Sequence, residues 1–512
     1  MLNKIKLFIN NHFNLSVFLI FTIVVFSLYG KTLFFDWTYY DDDVLIVDKQ
    51  EFLSFSNIKN VLFTTVFGQE EDKFCRPVLN LTFLCEKYLY GITPSGYHLT
   101  NIIIHLFAVF SVFLFLILRY DRKISFILCF LFLCHPALTQ AVAWIPGRND
   151  SLLTLFLVLS CYFFIKYVDA NKIIFLISYF IFFVISLFTK ETAIVVPIFY
   201  FMILLYKKKG IKQYLFQFVI IAPTISVYLF YRSIVLSYQT YSISFKNLMM
   251  NFVASFPAIT KYIANIFFPF KLSLFPTMLE VNYLLCLASL LLLVLLFIKS
   301  KKYDFKNILF GFCWFLLFLF PTFLMPNNQF YDHRLYLPLV GILIVILELL
   351  NKYDKILKIK NVLMFSFILL LFFTITFFYE QKFENKEVFW VNAYTISPNS
   401  DIANAMVGGL LLERGLYKEA EEKYKKAIEL REYSKHYVNL AAVYFKTNRL
   451  NESEKCLLKA LSLDNMNANI YYNLSLIYKI KGEKEKAQEM KDRYIKVFND
   501  TNKVSKLDIS NL

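Results

Sequence analysis

Long apolar runs recur along this chain from the N-terminus to about residue 380, and they limit its fold more than any other feature of the sequence. A membrane-spanning helix needs about 20 mostly apolar residues. About eleven runs approach that length, near residues 13–30, 98–118, 124–143, 150–168, 172–189, 192–206, 213–236, 279–298, 306–326, 335–350 and 361–379. Charged residues make up 18% of the chain, whereas about a quarter is usual in soluble domains. The sequence therefore predicts an all-α polytopic membrane protein of about eleven spanning helices.

Lysine and arginine concentrate in short segments between these runs, which indicates how the chain crosses the membrane. With a cytoplasmic N-terminus, the basic segments all fall on the cytoplasmic side; they are residues 1–6, 119–123, 169–172, 207–212, 299–306 and 351–360. This arrangement requires that the stretch 247–270 does not complete a crossing, so we expect it to be re-entrant or interfacial. The net charge of +16 then reflects topology and anionic lipid head groups, and we expect no nucleic-acid partner.

The same topology places four other charged segments on the opposite, extracytoplasmic side. They are the long first loop at 31–97 and the segments 144–150, 189–192 and 326–334. Their charges are not explained by the positive-inside rule, because they lie outside the cytoplasmic loops. We therefore expect acidic and basic side chains from distant parts of the chain to meet on one face of the membrane.

A different pattern begins after residue 380, where we predict a linker at 381–400. Residues 401–499 repeat with a period of about 34 residues, and small residues recur at equivalent positions such as Gly408, Ala441 and Ser475. Small residues at such positions let paired helices pack closely, as in tetratricopeptide (TPR) units. We predict a helical solenoid of about three TPR units, followed by a tail at 500–512. The odd number of spans would place this domain on the extracytoplasmic side.

Three consecutive aspartates, Asp41, Asp42 and Asp43, follow the first apolar run. A carboxylate held near a membrane surface can act as a general base on a hydroxyl group, or it can bind a divalent cation that meets a phosphate. The structural alternative is an acidic loop that is merely solvated. Charged partners on the other extracytoplasmic segments favour a functional role.

Five cationic residues are candidates for binding an anionic head group. Arg76 is followed by proline and suits bidentate phosphate recognition, although an interfacial arginine that binds lipid would occur in the same place. Arg148 and Lys190 lie in two of the extracytoplasmic turns, and Arg334 lies at the mouth of a span. Arg232 lies inside an apolar run, where a charge usually marks a functional pathway.

Six polar residues are candidates for supporting roles: His98, Asn101, His105, Asp150, Glu191 and His333. The first three share one face of a helix, where they would either line a cavity or make hydrogen bonds between helices. Asp150 also suits a helix N-terminus. Among the eight cysteines, Cys75 and Cys85 share the first loop and could pair, but no metal motif is evident. We therefore predict no definite metal site, and the acidic run leaves a divalent cation open.

Taken in order, several short segments carry a resemblance to a known family. They are YDDDVLIV, CRP, GYHLTNIIIH, GRNDSLL, TKET and DHRLYLP, followed by the TPR units. This series resembles the transmembrane and tetratricopeptide-repeat (TMTC-type) protein O-mannosyltransferases and their bacterial relatives. These belong to the C-type (GT-C) membrane glycosyltransferase superfamily. The resemblance implies a GT-C-like transmembrane domain over residues 1–380.

The resemblance also implies a reaction. A mannose-like monosaccharide would pass from a polyprenyl (dolichyl-type) phosphate to a hydroxyl of a protein or another extracytoplasmic acceptor, which the TPR domain would engage. Asp42 or Asp41, ahead of Asp43, would take the proton of that hydroxyl. One or more of the five cations would stabilise the phosphate leaving group, and single displacement would invert the anomeric carbon. The membrane would be a bacterial plasma membrane or an endoplasmic reticulum.

Two other functions fit parts of the sequence. A membrane-anchored TPR scaffold without catalysis would make the repeats the working part and the charged residues structural. A transporter of lipid-linked sugars would distribute charges across the depth of the membrane and show internal repeats in its spans. The charges lie mainly on one face and no such repeat is evident, so we rank the transporter last.

Overall fold

The structure is a computed structural model that describes residues 12–67, 74–236, 245–276, 281–300, 303–324, 330–350 and 359–505. The predicted cytoplasmic segment 1–6, most of the segment 351–360 and the end of the predicted tail lie outside the described residues. The chain divides into two compact units. We call Met1–Leu272 with Val281–Lys386 the membrane unit, and Ser273–Glu280 with Glu387–Leu512 the repeat unit.

The membrane unit is built from helices, and no strand occurs among the residues described. Its helices are α1 (Phe13–Tyr29), α2 (Ile58–Leu62), α3 (Pro77–Tyr90), α4 (Pro94–Leu116), α5 (Arg122–Leu133), α6 (Gln140–Ala143), α7 (Arg148–Ala170), α8 (Ile173–Thr189), α9 (Val196–Tyr206), α10 (Ile211–Val235), α11 (Phe245–Ser255), α12 (Ala258–Phe267), α13 (Tyr283–Lys299), α14 (Phe305–Phe323), α15 (Tyr336–Leu350) and α16 (Ile359–Glu380). The prediction of an all-helical fold is thus confirmed for the described part of the chain.

Six helical segments of the described residues are long and apolar enough to cross a membrane, or seven if the bent pair Arg122–Leu133 and Pro136–Ala143 forms one span. Every predicted run contains a helix, but several of these helices are shorter than a full crossing needs, such as Ile173–Thr189 and Tyr283–Lys299. The count of about eleven spans is therefore not confirmed and stays a prediction. The stretch 247–270 forms the short helices α11 and α12, of 11 and 10 residues, each about half the length of a span.

Carboxylate and amide side chains mark where several helices begin. Asp121 accepts hydrogen bonds from the backbone N–H groups of Lys123 and Ile124 at the start of α5. Asn282 caps α13 in the same way, and Asp304 caps α14. An N-cap side chain satisfies N–H groups that lack a partner in the first helical turn.

Helices α14 and α15 make an unusually close contact through two glycines. A Cβ atom on Gly311 would lie 2.6 Å from the carbonyl oxygen of Gly341, and a Cβ on Gly341 would lie 2.4 Å from that of Gly311. Small residues allow such backbone approach between helices in a membrane. This contact fixes the crossing of the two helices.

The repeat unit contains α17 (Lys386–Ile396), α18 (Asp401–Glu413), α19 (Tyr417–Leu430), α20 (Ser434–Lys446), α21 (Leu450–Leu463), α22 (Ala468–Ile480) and α23 (Lys484–Ser505). The helices from α18 onward form three successive pairs. Gly415, Asn448 and Gly482 lie in the turn inside each pair, and each has a positive φ angle, between 58° and 80°. The residues predicted as a linker, 381–400, are largely helical, since α17 occupies most of them.

Candidate functional site

A cavity of about 380 Å³ in the membrane unit brings together side chains from segments that are far apart in the sequence. Its walls come from the first loop, the turn before α7 and the start of α7, the turn between α8 and α9, the end of α14, and the segment that leads into the start of α15. Seven of the predicted site residues line it: Asp41, Arg76, Asp150, Lys190, Glu191, His333 and Arg334. The charged segments of the sequence therefore do meet at one place. We call this space the acidic-loop cavity.

The three consecutive aspartates occupy different environments. Asp41 lines the cavity and has a positive φ of 66°, and Tyr39 nearby has a φ of 52°. Asp42 is 1% exposed and does not line the cavity. Asp43 begins a single π-helical turn, Asp43–Val47, and also does not line the cavity. The geometry thus separates one aspartate that faces the cavity from two that do not.

Asp42 folds back onto its own loop. Its carboxylate accepts hydrogen bonds from the backbone N–H groups of Thr38 and Tyr40, both at 2.7 Å, and from the Thr38 hydroxyl at 3.0 Å. Burial raises the pKa of Asp42 to about 7, although these hydrogen bonds act in the opposite direction. These contacts hold the residues on either side of Asp41, so Asp42 positions the loop.

Aromatic residues extend this support. The Trp144 indole N–H donates to the Tyr40 carbonyl at 2.9 Å, and the two rings stack with centroids 5.2 Å apart. The Tyr40 hydroxyl lies 3.0 Å from the Tyr331 hydroxyl. Asn101 donates to the carbonyls of Val142 and Trp144, and so it holds the turn that carries Trp144. The first loop is therefore fixed against two other segments of the cavity wall.

Two ion pairs lie in the cavity wall. The guanidinium of Arg76 is 3.2 Å from Glu191, and the ammonium of Lys190 is 2.7 Å from Asp150. Burial acts to raise the pKa of Glu191, but the charges of Arg76 and Arg232 outweigh it, so this pKa lies below its usual value. Glu191 is therefore held as an anion. Arg232 does not line the cavity itself and acts on it through Glu191.

The segment before α15 contributes a cation and an imidazole. Arg334 lines the cavity and its guanidinium lies over the Tyr331 ring, 5.3 Å from the centroid. His333 is buried 3.9 Å from Asp150. Burial, together with the nearby charges of Lys190 and Arg334, holds the pKa of His333 well below its usual range. His333 is accordingly neutral near pH 7 and does not add a positive charge to the cavity.

Helix α12 anchors that segment through contacts that were not predicted from the sequence. Lys261 donates to the Phe330 carbonyl at 3.0 Å and lies 3.5 Å from Asp332, and Asn265 donates to Asp332 at 2.7 Å. The Tyr262 hydroxyl donates to the Tyr331 carbonyl at 3.3 Å. A signal did exist in the sequence, since Lys261 and Asn265 lie four residues apart on one helix face in an otherwise apolar stretch.

Two of the predicted site residues, His98 and His105, do not line the cavity. His105 lies 2.5 Å from the Tyr336 hydroxyl and 3.3 Å from the Leu133 carbonyl, so it makes hydrogen bonds between helices. His98 is buried, and its ring packs edge-on against Phe35. The hydrogen bonds of His105 fit a structural role between helices. Neither ring nitrogen of His98 has a hydrogen-bond partner among the described residues.

Arg148 is also placed away from the cavity, in the core beside the first loop. Its side chain is fully buried and pairs with Glu86, its guanidinium donates to the Tyr97 carbonyl at 2.9 Å, and it lies over the Phe83 ring. A buried ion pair of this kind joins α3 and α4 to the start of α7. The structure therefore gives Arg148 a structural environment, and a donor-binding role is not supported by its position.

Arg148→Met is expected to destabilise the protein by about 3–5 kcal/mol, because it leaves the buried Glu86 without its countercharge. The midpoint of thermal unfolding in detergent measures this. The double variant Arg148→Met with Glu86→Gln removes both charges and is expected to recover most of the loss. If Arg148→Met is instead as stable as the original protein but neither binds a sugar donor nor transfers its sugar, Arg148 is part of the donor-binding site.

The sequence left open a divalent cation at the acidic run and a disulfide between two cysteines of the first loop. No group of three or more His, Cys, Asp or Glu side chains in the described parts of the chain is arranged to hold a metal ion. The cavity carboxylates Asp150 and Glu191 each pair with a cationic side chain. The divalent cation that the acidic run leaves open stays a prediction. Cys75 and Cys85 are not joined by a disulfide, so the pairing considered for them is not formed.

Comparison with known proteins identifies two parts of the chain. Residues 77–237 match the family model of dolichyl-phosphate-mannose-protein mannosyltransferases. Residues 436–482 and 468–497 match models of TPR repeats. The mannosyltransferase match begins at Pro77, which follows Arg76, and it includes Asp150 and Lys190. The TPR matches confirm the predicted repeats. Among solved structures, a crystal structure of MamA aligns with 30% of this chain and 90% of its own, at 15% identity and a TM-score of 0.22.

Several curated proteins are similar to part of the chain. Human protein O-mannosyl-transferase TMTC2 is 32% identical over 151 residues, which cover 28% of this chain and 18% of that protein. Human TMTC3 is 31% identical over 150 residues, covering 28% and 16%, and mouse TMTC4 is 32% identical over 154 residues, covering 26% and 20%. The matched region spans a fifth or less of each relative. These matches confirm the resemblance seen in the sequence.

Proposed function

We propose that this chain, which combines a mannosyltransferase-type segment with TPR repeats as the TMTC O-mannosyltransferases do, is an integral-membrane glycosyltransferase. Its donor would be a mannose-like monosaccharide on a polyprenyl phosphate, and its acceptor a hydroxyl group on a protein or another extracytoplasmic molecule. The observation that carries the proposal is the acidic-loop cavity, where Asp41 shares one space with Arg76, Lys190 and Arg334.

The charges of the cavity suit a phosphate head. Three cations and three carboxylates line it, and Asp150 and Glu191 are the carboxylates that pair with Lys190 and Arg76. Asp41 is the third carboxylate that lines the cavity. A phosphate can therefore be held by cations whose positions are fixed before it arrives, which limits the reorganisation needed during the reaction.

In the proposed reaction, Asp41 acts as the general base. It takes the proton of the acceptor hydroxyl while that oxygen forms a bond to the anomeric carbon. The bond between the anomeric carbon and the phosphate oxygen breaks, and its electron pair leaves with the lipid phosphate. Arg334, with Arg76 and Lys190, stabilises the growing negative charge on the phosphate. A single displacement of this kind inverts the anomeric carbon.

This assignment makes Asp41 the catalytic residue and Asp42 a positioning residue. Asp41 is the aspartate of the three that lines the cavity, whereas Asp42 holds the backbone on both sides of it. The left-handed backbone of Asp41 is unfavourable for most residues, although Asp and Asn tolerate it better. The hydrogen bonds to Asp42 offset that cost and keep Asp41 at the cavity.

Purified protein, incubated with a panel of radiolabelled polyprenyl-phosphate sugars and a mixture of membrane and secreted proteins, tests the function. We expect label from a mannose-like donor to move to acceptor hydroxyls. Label that stays on the lipid with every donor and acceptor would contradict the proposal and favour a scaffold built on the TPR repeats. Lipid-linked sugar that crosses the membrane of a vesicle unchanged would favour a transporter.

The titration of Asp42 predicts how transfer depends on pH. The group has a pKa raised to about 7, so it carries a proton below that pH and loses it above. The protonated carboxyl has one acceptor fewer for the N–H groups of Thr38 and Tyr40, so the loop that holds Asp41 is expected to loosen. We therefore expect the transfer rate to rise as pH increases through about 7.

A pH profile of kcat between about pH 5 and about pH 9 measures this effect. Asp42→Asn removes the titrating group and is expected to give a lower rate without the inflection near pH 7. An inflection that persists unchanged in Asp42→Asn would show that another group controls it.

A further inference from the structure

A second cavity, of about 280 Å³, takes wall residues from α7, α14 and α15 farther along each helix from the acidic-loop cavity. Its walls come from the end of α4, the end of α9, the start of α14 and one residue each of α7 and α15. On α14, Thr322 lines the first cavity and Lys306 lines the second. These positions are about 24 Å apart along the helix. That distance approaches the ~30 Å hydrocarbon thickness of a bilayer, so the second cavity lies near the opposite membrane surface.

The inner wall of this second cavity is apolar. Phe115, Leu116, Ile203, Phe310 and Ile344 all line it. Its volume lies near the lower end of the about 300–1,000 Å³ that small-molecule sites usually occupy. The space therefore suits part of a hydrocarbon chain better than a large polar ligand.

The rim of the second cavity is cationic, with Arg119, Lys207 and Lys306. Arg119 lies 3.2 Å from Asp304 and over the Tyr206 ring, and Lys207 lies 2.8 Å from Asp169. Between about a third and a half of each side chain in these two ion pairs is exposed. Exposed ion pairs contribute little stability, so an arriving anion can exchange with the carboxylates.

Further positive charge surrounds this rim. Lys306 is exposed, and no ion pair of its ammonium group occurs within the described part of the chain. The segment 207–212 carries four lysines, and 299–306 carries four lysines and one aspartate. Basic segments at a membrane surface attract anionic lipid. The apolar walls of the cavity match the acyl chains of such a lipid, and the cationic rim matches its phosphate group.

We propose that the second cavity binds an anionic phospholipid of the bilayer. One acyl chain lies along the apolar wall, and the phosphate lies at the rim with Lys306, Arg119 and Lys207. This inference needs a chain that spans the membrane, but it does not depend on the proposed glycosyl transfer. Failure of either proposal therefore leaves the other intact.

The test uses the full chain in nanodiscs of phosphatidylcholine that contain a small fraction of photoactivatable lipid. The probe is phosphatidylglycerol in one arm and phosphatidylcholine in the other, and the labelled peptides are identified by mass spectrometry. We expect phosphatidylglycerol to label the ends of α4 and α9 about fivefold more strongly, which is the preference one lysine gives near a membrane surface.

Two variants and two controls test the site itself. Lys306→Glu is expected to abolish the fivefold preference, and Met202→Trp is expected to reduce labelling by filling the cavity. Lys172→Glu makes the same charge change, and Ile174→Trp adds an indole on an exposed face; both lie outside the cavity and are expected to label normally. Glutamate suits the first turn of α14, so Lys306→Glu is expected to fold.

Three outcomes would overturn the proposal. The first is equal labelling by the two lipids. The second is labelling by phosphatidylglycerol that neither Lys306→Glu nor Met202→Trp changes. The third is displacement of the probe by undecaprenyl phosphate where excess phosphatidylglycerol has no effect, since the ligand would then be a polyprenyl phosphate. Preferential labelling that both variants remove would support the assigned site.

Discussion

Asp41→Asn is expected to lower the rate of sugar transfer by about 10²–10⁴-fold, which is the usual contribution of a general base. The change removes the group that would take the acceptor proton, while Asn has nearly the same shape and also tolerates a positive φ. The fold and donor binding are therefore expected to survive. Initial rates with a radiolabelled lipid-linked sugar measure the loss, and binding of the donor is measured separately.

The neighbouring aspartates provide matched controls for this variant. Asp43→Asn makes the same chemical change in a residue that does not line the cavity, and we expect it to leave the rate within a few fold of the original. Asp42→Asn is expected to lie between the two, because it loosens the loop without removing the base. The assignment of Asp41 is wrong if Asp41→Asn transfers sugar normally while Asp42→Asn is inactive at every pH.

Arg334→Gln is expected to lower kcat by about 10²–10³-fold, which is the usual effect of removing one group that stabilises developing charge. Negative charge grows on the phosphate as its bond to the sugar breaks, so the loss should fall mainly on kcat. The effect on KM should be smaller, because Arg76 and Lys190 still line the cavity and hold the ground-state phosphate. Steady-state kinetics with the donor varied separates the two constants.

Arg122→Gln provides the control for the Arg334 variant. Arg122 is exposed at the start of α5 and does not line the acidic-loop cavity, so we expect unchanged kinetics. An Arg334→Gln variant with normal kcat would show that the other two cations suffice. A variant with normal kcat and a much higher KM would show that Arg334 binds the donor without assisting the bond cleavage.

Much of the acidic-loop cavity could be predicted from the sequence, because its charged residues lie between apolar runs. Charges in such places must meet partners or water. The turns that carry Asp150, Lys190 and Arg334 were therefore expected to lie on one face, and these three residues do line one cavity. The helical fold followed from the same apolar pattern, and the TPR repeats followed from the period of small residues.

The remaining features depend on contacts that a single sequence does not contain. In the sequence, Arg148 is as good a candidate for the cavity as the charged residues near it. Its position outside the cavity depends on its contact with Glu86, which is 62 residues away in the chain. The choice between Asp41 and Asp42 depends on a backbone angle and on hydrogen bonds to Thr38. The number of spans depends on helix lengths, which apolar composition defines only approximately.

The close contact between Gly311 and Gly341 lies between the two cavities, and both cavities take wall residues from α14 and α15. Backbone meets backbone at this point, so a larger side chain at either glycine would push the two helices apart. A single substitution there would therefore alter the walls of both cavities at once.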